Sequence, residues 1–334
     1  MKRVSCWILF LIISFAFFYG EGWYENATAD KKPLYVYAPE YLENAFKVPL
    51  KCSGLNSEYE IVITKDIAQA NIIMDTDKEF DSEYFRIAYS PFVVVYDDED
   101  DHLKDMVKAG LLQEASFNDD YYEINFKMVI EEVLAEGKWK NLGVENQDTL
   151  RVFYPAPGSK YYTDYYDFML VTINGGAYPK NETELKSAME KIKLFENSVY
   201  TEGVVDFGEK LLRSGGFLED TLFLMPEQEA ERIDEKYKKY GRLFYPTVTV
   251  YVDYYLKADE LGYKLVEAFY EDTFWDGSFY DQIENYAYRN EVDSELDDFT
   301  GYLYHDRDAY NVLNLDVNRI RPESVNGFEE ASVS

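Results

Sequence analysis

The stretch YPAPGSKYYTDYYDF, residues 154–168, brings a glycine, a hydroxyl, an ammonium and a run of phenols to the start of one periodic segment. A Pro-x-Pro-Gly turn delivers Gly158, Ser159, Lys160 and Tyr161 to what should be the first turn of a helix. The free backbone N–H groups and the dipole at such an end favour an anion or a carbonyl-type oxygen, and a glycine lets a ligand come close to the backbone. The same residues also have a purely local reading. Ser159 is a preferred helix cap, and Lys160 can be a solvated surface charge. Other chemistry is sparse. The two histidines, His102 and His305, lie in an acidic loop and a charged C-terminal stretch, with no G-x-S-x-G elbow near either. Clusters of His and Cys that would hold zinc are missing. The acidic run YDDEDD at 96–101 and NLDVNR at 314–319 lack the spaced pattern of a calcium loop. A carboxylate pair drawn from the 64 acidic residues could still perform acid–base work. We expect no catalytic residue, no metal site and no cofactor.

The elements that must position these groups alternate between short β-type runs and helical periodicity. PLYVYAP (33–39) reads as a strand, and EYLENAFKVPLKC (40–52) as a helix, with Leu42, Phe46 and Leu50 recurring every four residues. YEIVIT, DIAQA and ANIIMDT repeat strand, short helix and strand, the opening of an α/β sheet with parallel strands joined by crossovers. FRIAYSPFVVVYDD (85–98) is a longer strand-like stretch. Its Ser90-Pro91 step should make it leave one sheet and enter another, because proline cannot donate to a ladder. Helices are expected at HLKDMVKAGLL, YYEINFKMVIEEVLAEG, YYTDYYDFMLVTING, NETELKSAMEKIKLFENS and YTEGVVDFGEKLLRSGG, with Gly175-Gly176 and Gly215-Gly216 as left-handed stops. TLRVFYP (149–155) and DTLFLMPE (220–227) are strands. RLFYPTVTVYVDYYL (242–256) is a second long stretch interrupted by proline, and GYKLVEAFYEDTFW returns to helix. Two long interrupted strands thus flank the middle block, as two hinge crossings between lobes would.

At the N-terminus, Lys2 and Arg3 precede an apolar run from Val4 to Tyr19, which reads as a secretory signal with a cut after Ala27-Thr28-Ala29. The long spacing before the cut leaves an uncleaved anchor as the alternative, although the run is shorter than the about 20 residues of a full span. Cleavage removes Lys2, Arg3, Glu21 and Glu25, so the net charge stays at −31. Nucleic acid and anionic membrane surfaces are disfavoured as partners, since both need basic patches. Only Cys52 remains after cleavage, so the exported fold must stand on its core and not on a disulfide. With 47% hydrophobic and 17% aromatic residues it has ample material for one.

The succession IAYSPFVVVYDD, W-K-N-L-G (139–143), RVFYPAPGS, LLRSGGF, TLFLMPE and YPTVTVYV resembles the extracellular solute-binding proteins of bacterial ABC importers, in the two-lobed type II group, over roughly residues 33–275. The resemblance implies an α/β fold of two lobes with mixed and parallel sheets flanked by helices. The first lobe would be 33–90 and 247–334, the second 91–246, after a signal peptide over 1–29. It also implies a cleft site at the carboxyl ends of strands and at helix N-termini, in keeping with the general rule for open α/β sheets.

Carried onto this chain, that location selects Pro39 and Glu40 after the first strand, Ser90 at the first crossing, Gly158, Ser159, Lys160 and Tyr161 at the opening motif, Glu227 at a strand end and Tyr245 at the return crossing. Oxyanion-binding members often carry Ser or Thr after the first strand; Ala38-Pro39-Glu40 does not, which speaks against a simple oxyanion. Glu40 and Glu227 could pair with an amine, and Tyr161 and Tyr245 could stack on a ring or sugar face. Some related proteins hold ferric ion with adjacent tyrosines, but four tyrosine doublets are about what 32 tyrosines in 334 residues produce by chance. The implied protein is an extracellular or cell-surface monomer that captures a small ligand by hinge closure and presents it to a membrane ABC permease. An anchored ligand sensor and a secreted carboxylate-dependent enzyme are the alternatives. The region 276–334 has no assigned role.

Overall fold

The computed structural model describes residues 31–76, 85–97, 102–114, 122–144, 149–214, 218, 221–237, 241–271 and 302–303. The signal segment, the greater part of YDDEDD, Gly215-Gly216, His305 and nearly all of 276–334 lie outside the described residues. The chain divides into two compact units that change over between Phe85 and Arg86 and between Tyr255 and Leu256.

In the first unit, apolar alternation turns Leu34 and Val36 of β1 (Lys32–Tyr37) inward. β1 lies between β2 (Tyr59–Thr64) and β3 (Ile72–Asp75), parallel to both. Parallel neighbours need crossovers. The first is a short 3-10 turn, Glu40–Leu42, running into α1 (Glu43–Cys52), whose buried Ala45, Phe46 and Leu50 face the sheet. A final helix, α8 (Glu260–Glu271), packs on α1 through Phe269 and Phe46, whose ring centroids are 6.0 Å apart. Asp259 caps α8 by accepting from Gly262 N–H at 2.7 Å, and Asn71 Nδ2 donates to Asp259 at 2.8 Å. Gly262 must be glycine, because a Cβ there would stand 2.3 Å from the Asn71 carbonyl.

The second unit is a mixed sheet. β4 (Phe85–Tyr96) is flanked by antiparallel β9 (Thr221–Pro226) and antiparallel β10 (Arg242–Pro246). Beyond β9 lie β7 (Arg151–Pro155) and β8 (Thr201–Val204), all parallel; beyond β10 lie β6 (Tyr122–Ile124) and β5 (Leu112–Glu114). β11 (Thr249–Ala258) pairs with β4 and, at its start, with β12 (Tyr302–Leu303). One face carries α6 (Phe207–Ser214) and α7 (Glu227–Tyr237), whose Phe207, Leu211, Ala230 and Ile233 cover Val93, Val95, Phe223 and Met225. Phe92 of β4 stacks on Phe168 of α4 (Tyr162–Ile173) at 5.7 Å. α4 is buried nearly all round and packs on α3 (Phe126–Ala135) and α5 (Glu182–Glu196), which makes it a core helix.

The expected α/β class with parallel and mixed sheets flanked by helices is what the chain forms. Three local expectations change. β4 runs unbroken through Pro91; its ladder with β9 begins at Phe92, so the missing N–H falls at the end of that pairing. The expected helices over 102–112 and 121–137 shorten. α2 (Leu103–Ala109) stops at Gly110 with φ +76°, and Leu112 and Ile124 join the paired strands β5 and β6. In YTEGVVDFGEKLLRSGG the first part is strand β8, with helix only from Phe207. Gly175 and Gly176, at φ +80° and +98°, do end α4 as expected.

Candidate functional site

β9 passes directly into α7, Pro226 being the last strand residue and Glu227 the first of the helix. The first turn of α7 therefore sits at a strand end, and it presents Glu227, Gln228 and Glu229 in succession. Two carboxylates there lie in the favourable field of the helix N-terminus. Ser90, wholly buried in β4, accepts the Gln228 backbone N–H at 3.0 Å and so satisfies one of the donors that a helix start leaves open.

Around this turn the side chains form two sets of hydrogen bonds, one on Gln228 and Glu229 and one on Glu227. Tyr254 of β11 donates to Gln228 Oε1 at 3.1 Å. Tyr161, the residue before α4, donates to Glu229 Oε2 at 3.2 Å and reaches Gln228 Oε1 at 3.5 Å. Tyr245, in β10, donates to Glu227 Oε1, and Arg232, one turn along α7, pairs with Glu229 Oε1. Glu227 and Glu229 are each only 6% exposed. Carboxylates so deeply placed require partners, and the tyrosine hydroxyls and the guanidinium supply them.

Four residues singled out in the sequence, Ser90, Tyr161, Glu227 and Tyr245, are thus brought together from positions far apart in the chain. Gly158, Ser159 and Lys160 serve the turn that delivers Tyr161. Gly158 has φ +95°, and a Cβ there would meet only Val205 Cγ2 at an ordinary 4.0 Å, so the backbone conformation and not a close approach is what calls for glycine. Ser159 Oγ accepts the Tyr161 N–H at 3.3 Å, and its carbonyl accepts from Tyr162 at 3.1 Å. These bonds hold the turn before α4; the residue at the N-cap of α4 is Tyr161, so Ser159 does not fill the capping role expected of it. The Lys160 ammonium lies 4.7 Å from the centroid of the Tyr161 ring. In the first unit, Pro39 precedes the 3-10 turn and the exposed Glu40 pairs with Lys65 at 3.5 Å.

Gln228, Glu229, Arg232 and Tyr254 were not anticipated. The signal that could have found Gln228 and Glu229 is the sequence Pro226-Glu227-Gln228-Glu229, a strand end followed at once by a polar first turn. Both serines of the second unit's candidate set accept backbone N–H groups, Ser90 from Gln228 and Ser159 from Tyr161. Among the described residues no group of three or more His, Cys, Asp or Glu is arranged to hold a metal ion.

On the far side of the same helix start lies a second polar cluster. Tyr162 donates to Glu196 Oε1 at 3.2 Å, and Tyr154 of β7 donates to the Glu196 carbonyl at 3.3 Å. The Tyr165 ring stacks on Tyr154 at 5.0 Å and is fully buried. Burial pushes the Glu196 carboxyl up to about 7, against the opposing pull of the nearby Tyr162 and Tyr165 hydroxyls. Burial and the Glu196 charge in turn hold the Tyr154, Tyr162 and Tyr165 phenols above their ordinary range.

No protein-family model matches the chain, and no curated protein matches it. Solved structures do. The sulfate-binding protein SubI from Mycobacterium tuberculosis H37Rv is similar with a TM-score of 0.49 at 11% identity, over 81% of this chain and 93% of that one. PstS from Borrelia burgdorferi is similar with a TM-score of 0.40 at 10% identity, over 78% and 99%. The PBP MotA from A. tumefaciens B6, solved in complex with glucopine, is similar with a TM-score of 0.44 at 9% identity, over 87% and 88%. At such identities and TM-scores nothing is transferred from them to this chain, whose own residues carry the functional reading.

Proposed function

We propose that the protein is an extracellular solute-binding protein, not an enzyme, and that the network around the first turn of α7 is its ligand-binding centre. The observation that carries this reading is the convergence of Ser90, Tyr161, Glu227 and Tyr245, chosen from the sequence by the resemblance, on the first turn of α7: Ser90 and Tyr161 bond with Gln228 and Glu229, as Tyr254 does with Gln228, and Tyr245 bonds with the adjacent Glu227. Sites for small molecules combine aromatic walls with a few fixed polar groups, and three tyrosines with two carboxylates and an amide fit that description.

The charge of the network narrows the ligand. Two carboxylates occupy the helix start, and Ser90 takes the Gln228 N–H that an oxyanion would use. Hydroxyl and ammonium groups suit these acceptors; sulfate or phosphate does not. A sugar-like or amine-bearing solute is therefore the proposed class. Closure about a hinge, capture as a monomer and presentation to an ABC permease after export belong to the same proposal through the motif resemblance, as do Pro39 and Glu40 as candidates on the first unit.

The test is thermal unfolding of the protein without residues 1–29 against sugars, polyols, amino acids, polyamines and oxyanions, because a solute bound only by the folded state raises the midpoint. A selective rise with a hydroxyl- or amine-bearing solute, lost in Tyr161→Phe, supports the reading. A rise confined to oxyanions overturns the ligand class, and the absence of any rise overturns the binding role.

A further inference from the structure

Thr249–Tyr254, the first six residues of β11, are buried without exception, and Thr249 and Val250 wholly so. The backbone N–H and C=O groups of a strand placed so deeply need partners along both edges. At Thr249 and Val250 one edge is taken by β12, which runs parallel with Tyr302 opposite Thr249 and Leu303 opposite Val250. Parallel neighbours cannot be joined by a tight turn; the chain has to travel back to the start of its partner. β11 ends at Ala258 and runs almost at once into α8, which packs on α1 in the first unit. β12, by contrast, belongs with the start of β11 in the second unit. Between Glu271 and Tyr302 the chain therefore returns from the first unit to the second. The return has to cover the length of β11, ten residues or roughly 30 Å, well within the reach of the residues between them.

We propose that the chain after α8 is a strap, a third covalent connection between the two units, fastened to the second unit where β12 joins β11. The family resemblance implies only two crossings, and these are carried by β4 and β11. β4 and β11 are paired neighbours, so their two crossings act as a single hinge. A third connection that leaves from α8 instead of from that hinge limits how far the units can open. Its anchor lies close in the chain to two residues of the candidate site, since Tyr245 shortly precedes Thr249 and Tyr254 stands further along β11. The strap acts on whatever movement the hinge allows and so does not depend on the solute-binding reading.

Two measurements on the chain without residues 1–29 test it, and neither needs a solute. Hydrogen exchange reads the anchor. Leu303→Pro and a chain ending at residue 301 both take the ladder partner from the start of β11. The amides of residues 249–251 should then exchange about tenfold faster, the worth of about one hydrogen bond, while those of β7 and β9 keep their wild-type protection. Unchanged protection at 249–251 overturns the fastening. A doubly spin-labelled protein reads the strap itself. Cys52, exposed at the end of α1, labels the first unit, and Lys191→Cys on the exposed side of α5 labels the second. Pulsed electron paramagnetic resonance gives the distribution of distances between them. Cutting the chain at a protease site placed between residues 276 and 284 should broaden that distribution toward longer distances, and Leu303→Pro should do the same without a cut. Coinciding distributions in the intact, cut and Leu303→Pro proteins overturn the strap, and broadening on cutting alone overturns β12 as its anchor.

Discussion

The helix start at Tyr161 and Tyr162 separates two polar clusters that give buried carboxylates different partners. On one side Glu229 receives the Tyr161 hydroxyl and the Arg232 guanidinium, and Glu227 receives the Tyr245 hydroxyl. On the other, Glu196 has only phenols, at the wrong end of a helix dipole, and its carboxyl moves up to about 7. The difference lies in the partners: Glu229 has a guanidinium, and Glu196 has phenol hydroxyls whose pull does not offset its burial.

The comparison breaks most strongly if the cation is removed. Arg232→Ala leaves Glu229 buried without its guanidinium; the pair is partly open on the arginine side, so we expect a loss of about 2 kcal/mol, below the about 3 kcal/mol of a fully buried pair, in urea unfolding at neutral pH. Next comes Ser90→Ala, which strands the Gln228 N–H at the head of α7. A loss of about 1–2 kcal/mol is expected, whereas a change within a few tenths would mean another acceptor takes its place. Ser159→Ala should cost about 1 kcal/mol, the worth of its one hydrogen bond within the turn, and leave solute binding intact.

Glu196→Gln sharpens the other half of the contrast through its sign. The folded carboxyl is raised above its ordinary 4.5, so its stabilising contribution is fully present below pH 4.5 and is lost as pH rises through about 7. The variant should therefore match the wild type at pH 4.5 and exceed it in melting temperature at pH 8. Equal melting temperatures at both values would show that Glu196 ionises in the fold as it does in the open chain.

Much of the strand order was legible because it rests on local signals. The alternation in KPLYVY, the apolar TLFLMP and the positive-φ pair Gly175-Gly176 each declare an element without reference to the rest. Short strands after helices were not, since Leu112 and Val204 look helical until a neighbouring strand claims them, a matter of tertiary pairing and not of pattern. In the site, Tyr161, Glu227 and Tyr245 stood beside turns or strand ends and Ser90 beside a proline, although the strand runs on through that proline. Tyr254 did not, because a phenol inside a regular strand carries no signal until its hydrogen bond is seen. Glu196 is the same case: nothing in KLFENS distinguishes it from other helix-end glutamates, and its state arises from rings contributed by β7 and α4.

The central claim is that the α7 side of this divide binds a solute and the Glu196 side does not. Equilibrium binding of the solute that raises the unfolding midpoint, measured by calorimetry for the wild type, Tyr161→Phe and Tyr165→Phe, tests it most directly. The account predicts at least about a tenfold loss of affinity, the worth of one hydrogen bond, in Tyr161→Phe and wild-type affinity in Tyr165→Phe. Equal affinities in all three proteins, or a loss confined to Tyr165→Phe, would contradict it.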